Sequence, residues 1–187
     1  MQTREFLLLA YLALGGEVSG KTALQKKIYF LGEITGFEAG FEAHYYGPYS
    51  SEVAGANSEL KSLGYVKQSA NYWGRTSPNG FEIVRYDYQL TDAGKKVAEQ
   101  KRQRFTEEWK PIEAATQKMV EAEKGGSLDY MGLAAAAKAH FLIKQKGGTA
   151  YPTEIREMAR QFNWSLSEQE VERAGDFLVQ IGLVTQG

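Results

Sequence analysis

With 187 residues, 43% of them hydrophobic and 24% charged, the chain is long enough for one larger domain or two small ones and has the composition of a soluble globular protein. Its formal net charge of -1 excludes a global field that draws it to nucleic acid or an anionic membrane, so any such contact must come from a local patch. Having no cysteine, it has no disulfide, no thiolate nucleophile and no cysteine-ligated zinc.

Residues Thr3 to Leu14 are rich in Leu and Ala and free of Val and Ile, which predicts a buried helix stopped by Gly15-Gly16. Its apolar run, Phe6 to Leu14, is too short to span a bilayer and lacks the flanks of a signal peptide, so a cytoplasmic protein without a membrane partner is expected. From Lys21 to about Ile34 the apolar residues Leu24, Ile28, Leu31 and Ile34 recur at helical spacing and predict a second, amphipathic helix. Phe37 to Tyr46 reads as extended and leads into Gly47-Pro48. Ser50 or Ser51 caps a third helix to Leu63, whose apolar face is Val53, Ala56, Leu60 and Leu63. A strand begins near Val66, turn residues fill 70 to 80, and a second strand covers Phe81 to Leu90, with Val84, Tyr86, Tyr88 and Leu90 on one face.

Three helices followed by a hairpin is the order of a winged helix-turn-helix domain, here residues 1–90. Residues 91–126 read as one long connecting helix, capped by Thr91 and kinked or split by Pro111, with a homodimer through 91–124 as a subsidiary expectation. Residues 127–187 repeat the order in outline. Helices are expected at Asp129 to Lys146, Thr153 to Phe162 and Ser167 to Ile181, the last opened by a Ser167/Glu170 capping box, as a second helix-turn-helix-like unit. The predicted fold class is therefore mainly α with a small β wing.

Gly15 to Thr22 satisfies the phosphate-loop pattern G-x-x-x-x-G-K-[ST], but that loop needs a buried parallel strand before its first glycine, and the preceding segment reads as helix. Nucleotide binding at 15–22 stays a remote alternative. The two histidines, His44 and His140, are far apart without a carboxylate at ligand spacing, so neither a metal, a cofactor nor a catalytic set is predicted. DNA is the natural partner of a winged helix. The candidate phosphate-facing residues are Lys21, Lys26, Lys27, Ser51, Asn57 and Lys61, with Arg75 and Arg85 in the wing. The denser basic run Lys95, Lys96, Lys101, Arg102 and Arg104 reads as a solvated helix face. A protein partner is the competing reading, through Tyr45, Tyr46 and Tyr49 of the turn and Tyr72 and Trp73 of the wing. The turn's tyrosines are expected to pack the third helix on the second around Leu24 and Ile28.

The helix from Lys21 to Phe30, with its Leu24-Gln25-Lys26, followed by Tyr45-Tyr46-Gly47-Pro48-Tyr49-Ser50 and a helix ending Leu63-Gly64-Tyr65, resembles the YwgA-like family of prokaryotic proteins. It is distantly similar to the Panacea antitoxin domain, which shares the L-Q-K helix and the Y-G-P turn. The resemblance covers the first ninety residues, and the C-terminal helices with Trp164 suit the same layout. The chain departs from the pattern at Ala23 and Lys27. The resemblance implies a cytoplasmic, non-enzymatic, winged-helix-like protein with an antitoxin or regulatory function, its matching residues being Leu24, Gln25, Lys26, Tyr46, Gly47, Pro48, Tyr49 and Ser50.

Overall fold

The Leu/Ala segment folds as helix α1 (Thr3–Ala13), in which every residue from Phe6 to Tyr11 is buried, so the helix is apolar all round and runs through the middle of the molecule. The remaining elements, in order, are β1 (Glu17–Ser19), α2 (Lys21–Thr35), α3 (Ser51–Ser62), β2 (Val66–Thr76), β3 (Glu82–Leu90), α4 (Asp92–Arg104), α5 (Thr106–Gly126), α6 (Tyr130–Gln145), α7 (Pro152–Gln161) and α8 (Glu168–Gln180). The computed structural model describes residues 1–76, 82–126 and 128–185, with the backbone alone described for 73–76, 82, 83, 125 and 126. Among these residues the architecture is α+β, mainly helical with one three-stranded antiparallel sheet of order β1-β3-β2.

Three features depart from the sequence expectations. The short strand β1 lies between the first two expected helices, where no strand is expected. It pairs Glu17, Val18 and Ser19 with Gln89, Tyr88 and Asp87 of β3, and only Val18 of its three residues is buried, too little for a visible alternation. Strand β2 runs on through residues read as turn, because Ala70 and Tyr72 find partners in Tyr86 and Val84 of β3; the expected strand start at Phe81 lies outside the described residues. The helix over 91–126 breaks at Phe105, not at Pro111. Phe105 leaves helical geometry (φ -109°, ψ 51°), its N–H closing α4 on the Lys101 carbonyl and its carbonyl accepting the Trp109 N–H of α5. Pro111 is exposed one turn inside α5, where it removes a single amide donor and leaves the helix intact.

The buried face of α5, with Trp109, Ile112, Thr116 and Met119, is covered by α1, α2 and α8 of the same chain, and no large apolar side chain of α5 is exposed among the described residues. The expected dimer through 91–124 therefore finds no bare apolar face there. One buried cluster extends from α1, α2 and α3 through α5 to Leu142 of α6 and Phe177 of α8, the Phe30 and Phe177 rings meeting edge-on at 5.3 Å. The C-terminal helices thus lean directly on α2, the helix that positions the site. No helix among the described residues is long and apolar enough to cross a membrane.

Candidate functional site

The turn between α2 and α3 is pinned from four sides. Glu42 and Tyr49 exchange two backbone hydrogen bonds of 2.9 Å, and the Gly47 N–H donates to the His44 carbonyl at 2.9 Å, closing the loop on itself. Gln25 of α2 imitates a peptide group: its Nε2 donates to the Ser50 carbonyl at 3.0 Å, while its Oε1 accepts the Ser50 N–H at 2.9 Å. One residue on, the Lys26 Nζ donates to the Pro48 carbonyl at 2.6 Å. From far along the chain, the Trp164 Nε1 donates to the His44 carbonyl at 2.7 Å. Ser50 then starts α3, its Oγ accepting the Val53 N–H and donating to the Ala39 carbonyl. Gly47 adopts φ +95°, and a Cβ there would come within 3.0 Å of the Lys138 Cγ on α6, so both the backbone and the space ask for glycine.

The Leu24-Gln25-Lys26 helix and the Tyr46-Gly47-Pro48-Tyr49-Ser50 turn are therefore one interlocked unit, in which Leu24 faces the core and the next two side chains hold the turn. What the lock leaves outside is aromatic. Tyr45 and Tyr46 are 69% and 54% exposed and meet edge-on, ring centres 4.8 Å apart. Of the three tyrosines expected to pack α3 on α2, only Tyr49 is half-buried, tilted against the His44 ring; Tyr45 and Tyr46 point away because the clamps act on the backbone and Pro48.

Beside the turn, α2, α3 and the β2–β3 hairpin enclose a cleft of about 680 Å³. It collects Lys21, Lys26 and Lys61 with Asn57, four of the residues proposed for nucleic acid, and it adds Tyr46 and Tyr49 of the turn. Tyr86 and Tyr88 of β3 form its far wall, with the Lys21 ammonium 6.0 Å from the centre of the Tyr86 ring. No Asp or Glu lines it among the described residues.

Not every proposed contact residue is available. Lys26 is 2% exposed, and burial, with Lys138 nearby, brings its ammonium down to about 7. Asn57 is also buried, its Oδ1 accepting the Tyr11 hydroxyl at 2.9 Å. These two cannot meet the phosphates of a duplex laid across the surface, a correction that follows from the α2 and α3 faces being turned toward the core and the turn. Lys27 is paired with Glu123 of α5, Arg85 with Asp87 at 2.9 Å, and Lys61 donates to Gln68 at 2.8 Å. Lys21 and Ser51 are exposed, and Tyr72 stands well out of the hairpin; the side chains of Trp73 and Arg75 lie outside the described residues. In the basic run, Lys101 is paired with Glu5 and Arg102 with Glu99, while Arg104 stacks on Phe105. The outer face of α3 is acidic, with Glu52 and Glu59 held by Thr3 and Arg4 of α1.

Sequence reading passed over Trp164, Lys138 and Tyr86 as site residues. Trp164 has no local signal, being 120 residues from its partner His44, whereas Lys138 is one of two lysines in an alanine-rich helix, and Tyr86 already stood on the apolar face of its strand.

No family model matches the chain. It is 32% identical over 80 residues to "Uncharacterized protein YwgA" of Bacillus subtilis (strain 168), a stretch that makes up 42% of this chain and 44% of that relative. Over that stretch the chain is YwgA-like. It spans less than half the length of that curated relative, whose name assigns it no activity.

Proposed function

We propose that the protein is a non-enzymatic winged-helix regulatory module that acts by binding a protein partner, antitoxin-like, on the Tyr45-Tyr46 turn. The order α1-β1-α2-α3-β2-β3 with sheet order β1-β3-β2 supports the winged-helix reading of residues 1–90, with α4 and α5 as the connector and 127–187 as the second helical unit. The observation that carries the partner is the pair of exposed rings on a backbone held by Gln25, Lys26 and Trp164. Tyrosine rings concentrate binding energy at interfaces, and a turn already fixed before binding loses little further entropy when a partner arrives. Duplex DNA is the second reading, favoured by the placement of α3 beside the hairpin. It is opposed by the exposed residues of α3, which include Glu52 and Glu59 and no basic side chain, Lys61 being half-buried and bonded to Gln68. As for hydrolysis at Gly15–Thr22, the residues before the first glycine are α1 and residues 17–19 are strand, so the strand, loop and helix that cradle a phosphate are not assembled in that order.

A partner isolated on the protein as bait, then purified and titrated against wild type and the Tyr45→Ala/Tyr46→Ala double variant, tests the proposal. The double variant is expected to bind about 100-fold more weakly, two interface tyrosines being removed. Equal affinity overturns it. So does tight binding to the upstream DNA of its own gene that falls steeply with salt and ignores both tyrosines.

A further inference from the structure

The cleft beside the turn has a chemistry that the exposed tyrosines do not explain. Its charged lining is of one sign, three lysines without a carboxylate among the described residues. Its hydrogen-bonding surplus is on the donor side. Lys26 spends one proton of its ammonium on Pro48, and Asn57, 5% exposed, gives its Oδ1 to Tyr11, leaving an Nδ2 with no protein acceptor among the described residues. The first turn of α2 borders the same space, and its N-cap, Gly20, offers no side-chain cap to the helix amides, so the dipole adds to the same sign. The walls are rings: Tyr46 and Tyr49 on one side, Tyr86 and Tyr88 on the other. At about 680 Å³ the cleft has the size of a small-molecule pocket.

We infer that this cleft is a binding site for a small anionic ligand that carries a planar ring. The phosphate or carboxylate sits among Lys21, Lys26 and Lys61, and the ring lies between the tyrosines of the turn and those of β3. A duplex is too wide to enter, and an anion without a ring leaves the four tyrosines unused. The groups that face Lys26 are Lys138 of α6, Lys21 of its own helix, Lys61 of α3, His44 and Tyr49 of the turn, and Tyr86 and Tyr88 of β3. All are cationic or neutral, and the one acid that acts on Lys138, Glu170, does not line the cleft, so an arriving anion meets no acid in the lining and returns a proton to the Lys26 amine. The inference shares Tyr46 with the partner reading but not Tyr45, which does not line the cleft.

Calorimetry with the full chain is the test. The probes are a nucleoside monophosphate, its nucleoside, ribose 5-phosphate, benzoate, and an acidic tetrapeptide without aromatic residues. The nucleotide, with ring and anion together, is expected to bind at least about tenfold more tightly than its nucleoside or ribose 5-phosphate, and benzoate at least about tenfold more tightly than the ring-free tetrapeptide. Lys21→Gln/Lys61→Gln, at positions outside the core, is expected to weaken that binding at least about tenfold. Titration near pH 8 in two buffers of different ionisation enthalpy should report uptake of close to one proton, abolished in Lys26→Met. Tyr45→Ala should leave all of this unchanged while weakening a protein partner, so the two proposals fail separately. No binding of either ring-bearing anion at millimolar concentration overturns the inference, as does binding indifferent to the Lys21/Lys61 change. Binding of the ring-free tetrapeptide at least as tightly as the ring-bearing anions also overturns it, in favour of a segment of a partner protein.

Discussion

Replacing Lys26 by methionine should make the protein more stable at neutral pH. The amine is buried under the Pro48 carbonyl, and burial lowers its pKa from an ordinary 10.5 to about 7. The unfolded chain holds the proton more tightly, so Lys26 opposes folding fully below about pH 7, less and less from there to about 10.5, and not at all above. The whole gap corresponds to about 5 kcal/mol, of which about 4 kcal/mol act at pH 7 and about 2 kcal/mol remain at pH 9. Wild-type stability is therefore expected to rise by about 2 kcal/mol from pH 7 to pH 9. Tyr11, Tyr29 and Tyr88, raised by burial, begin to oppose folding only near pH 10 and above, outside that window. Methionine fills similar volume without the charge but leaves the Pro48 carbonyl unbonded, a loss of about 1 to 3 kcal/mol. The balance puts Lys26→Met about 1 to 3 kcal/mol above wild type at pH 7, the gap closing by pH 9. Urea unfolding followed by circular dichroism at pH 7, 8 and 9 measures both slopes. A flat wild-type profile, or a variant less stable at pH 7, refutes the account of Lys26 as a desolvated, half-titrated amine.

Three further outcomes follow from buried groups and close approaches. His140, whose Nδ1 shares a hydrogen bond of 2.8 Å with the Tyr29 hydroxyl, is brought down to about 4, chiefly by burial, with Glu33 and Lys144 nearby. Its contribution is intact above about pH 6.5 and is lost as pH falls toward 4, about 3 kcal/mol in all, and His140→Phe should flatten that limb of an acid titration. Gly94→Ala places a Cβ 2.0 Å from the Tyr65 carbonyl oxygen, a backbone atom that cannot turn aside. A loss of about 3 kcal/mol or more is expected in thermal unfolding, and a melt within a degree of wild type would contradict the close packing of α4 on the strand end. Ser50→Ala removes the α3 cap and the bond to Ala39 together, and should reduce stability by about 1 to 2 kcal/mol in urea titration.

Local chemistry was enough for most of the elements. The Leu/Ala run without β-branched residues, the spacing of Leu24, Ile28 and Leu31, and the side-chain caps Thr91, Ser167 and Ser50, the last one of two candidates, each act within one turn of helix, and each stands in the structure where the sequence placed it. The turn was legible for the same reason, since Gly47-Pro48 and Ser50 act on their neighbours. Strand β1 and the break at Phe105 were not. A three-residue strand exists only because β3 pairs with it, and Pro111, the local helix breaker, stays inside α5 while the chain leaves helical geometry at Phe105.

The amino-acid sequence by itself determined which stretches are helical and where the helices other than α5 start, and its resemblance to a known pattern tied Leu24-Gln25-Lys26 to Tyr46-Gly47-Pro48-Tyr49-Ser50. Only the tertiary structure decided what each of those residues does. Periodicity marks a residue as apolar or charged but is blind to what lies across the gap. It therefore could not show that Lys26 is buried beneath Pro48, that Gln25 clamps Ser50, or that Trp164 reaches back to His44. The same folding turned Tyr45 and Tyr46 outward and gathered lysines from α2 and α3 against tyrosines of β3, because a cleft is defined by distances between elements that no single stretch of chain contains.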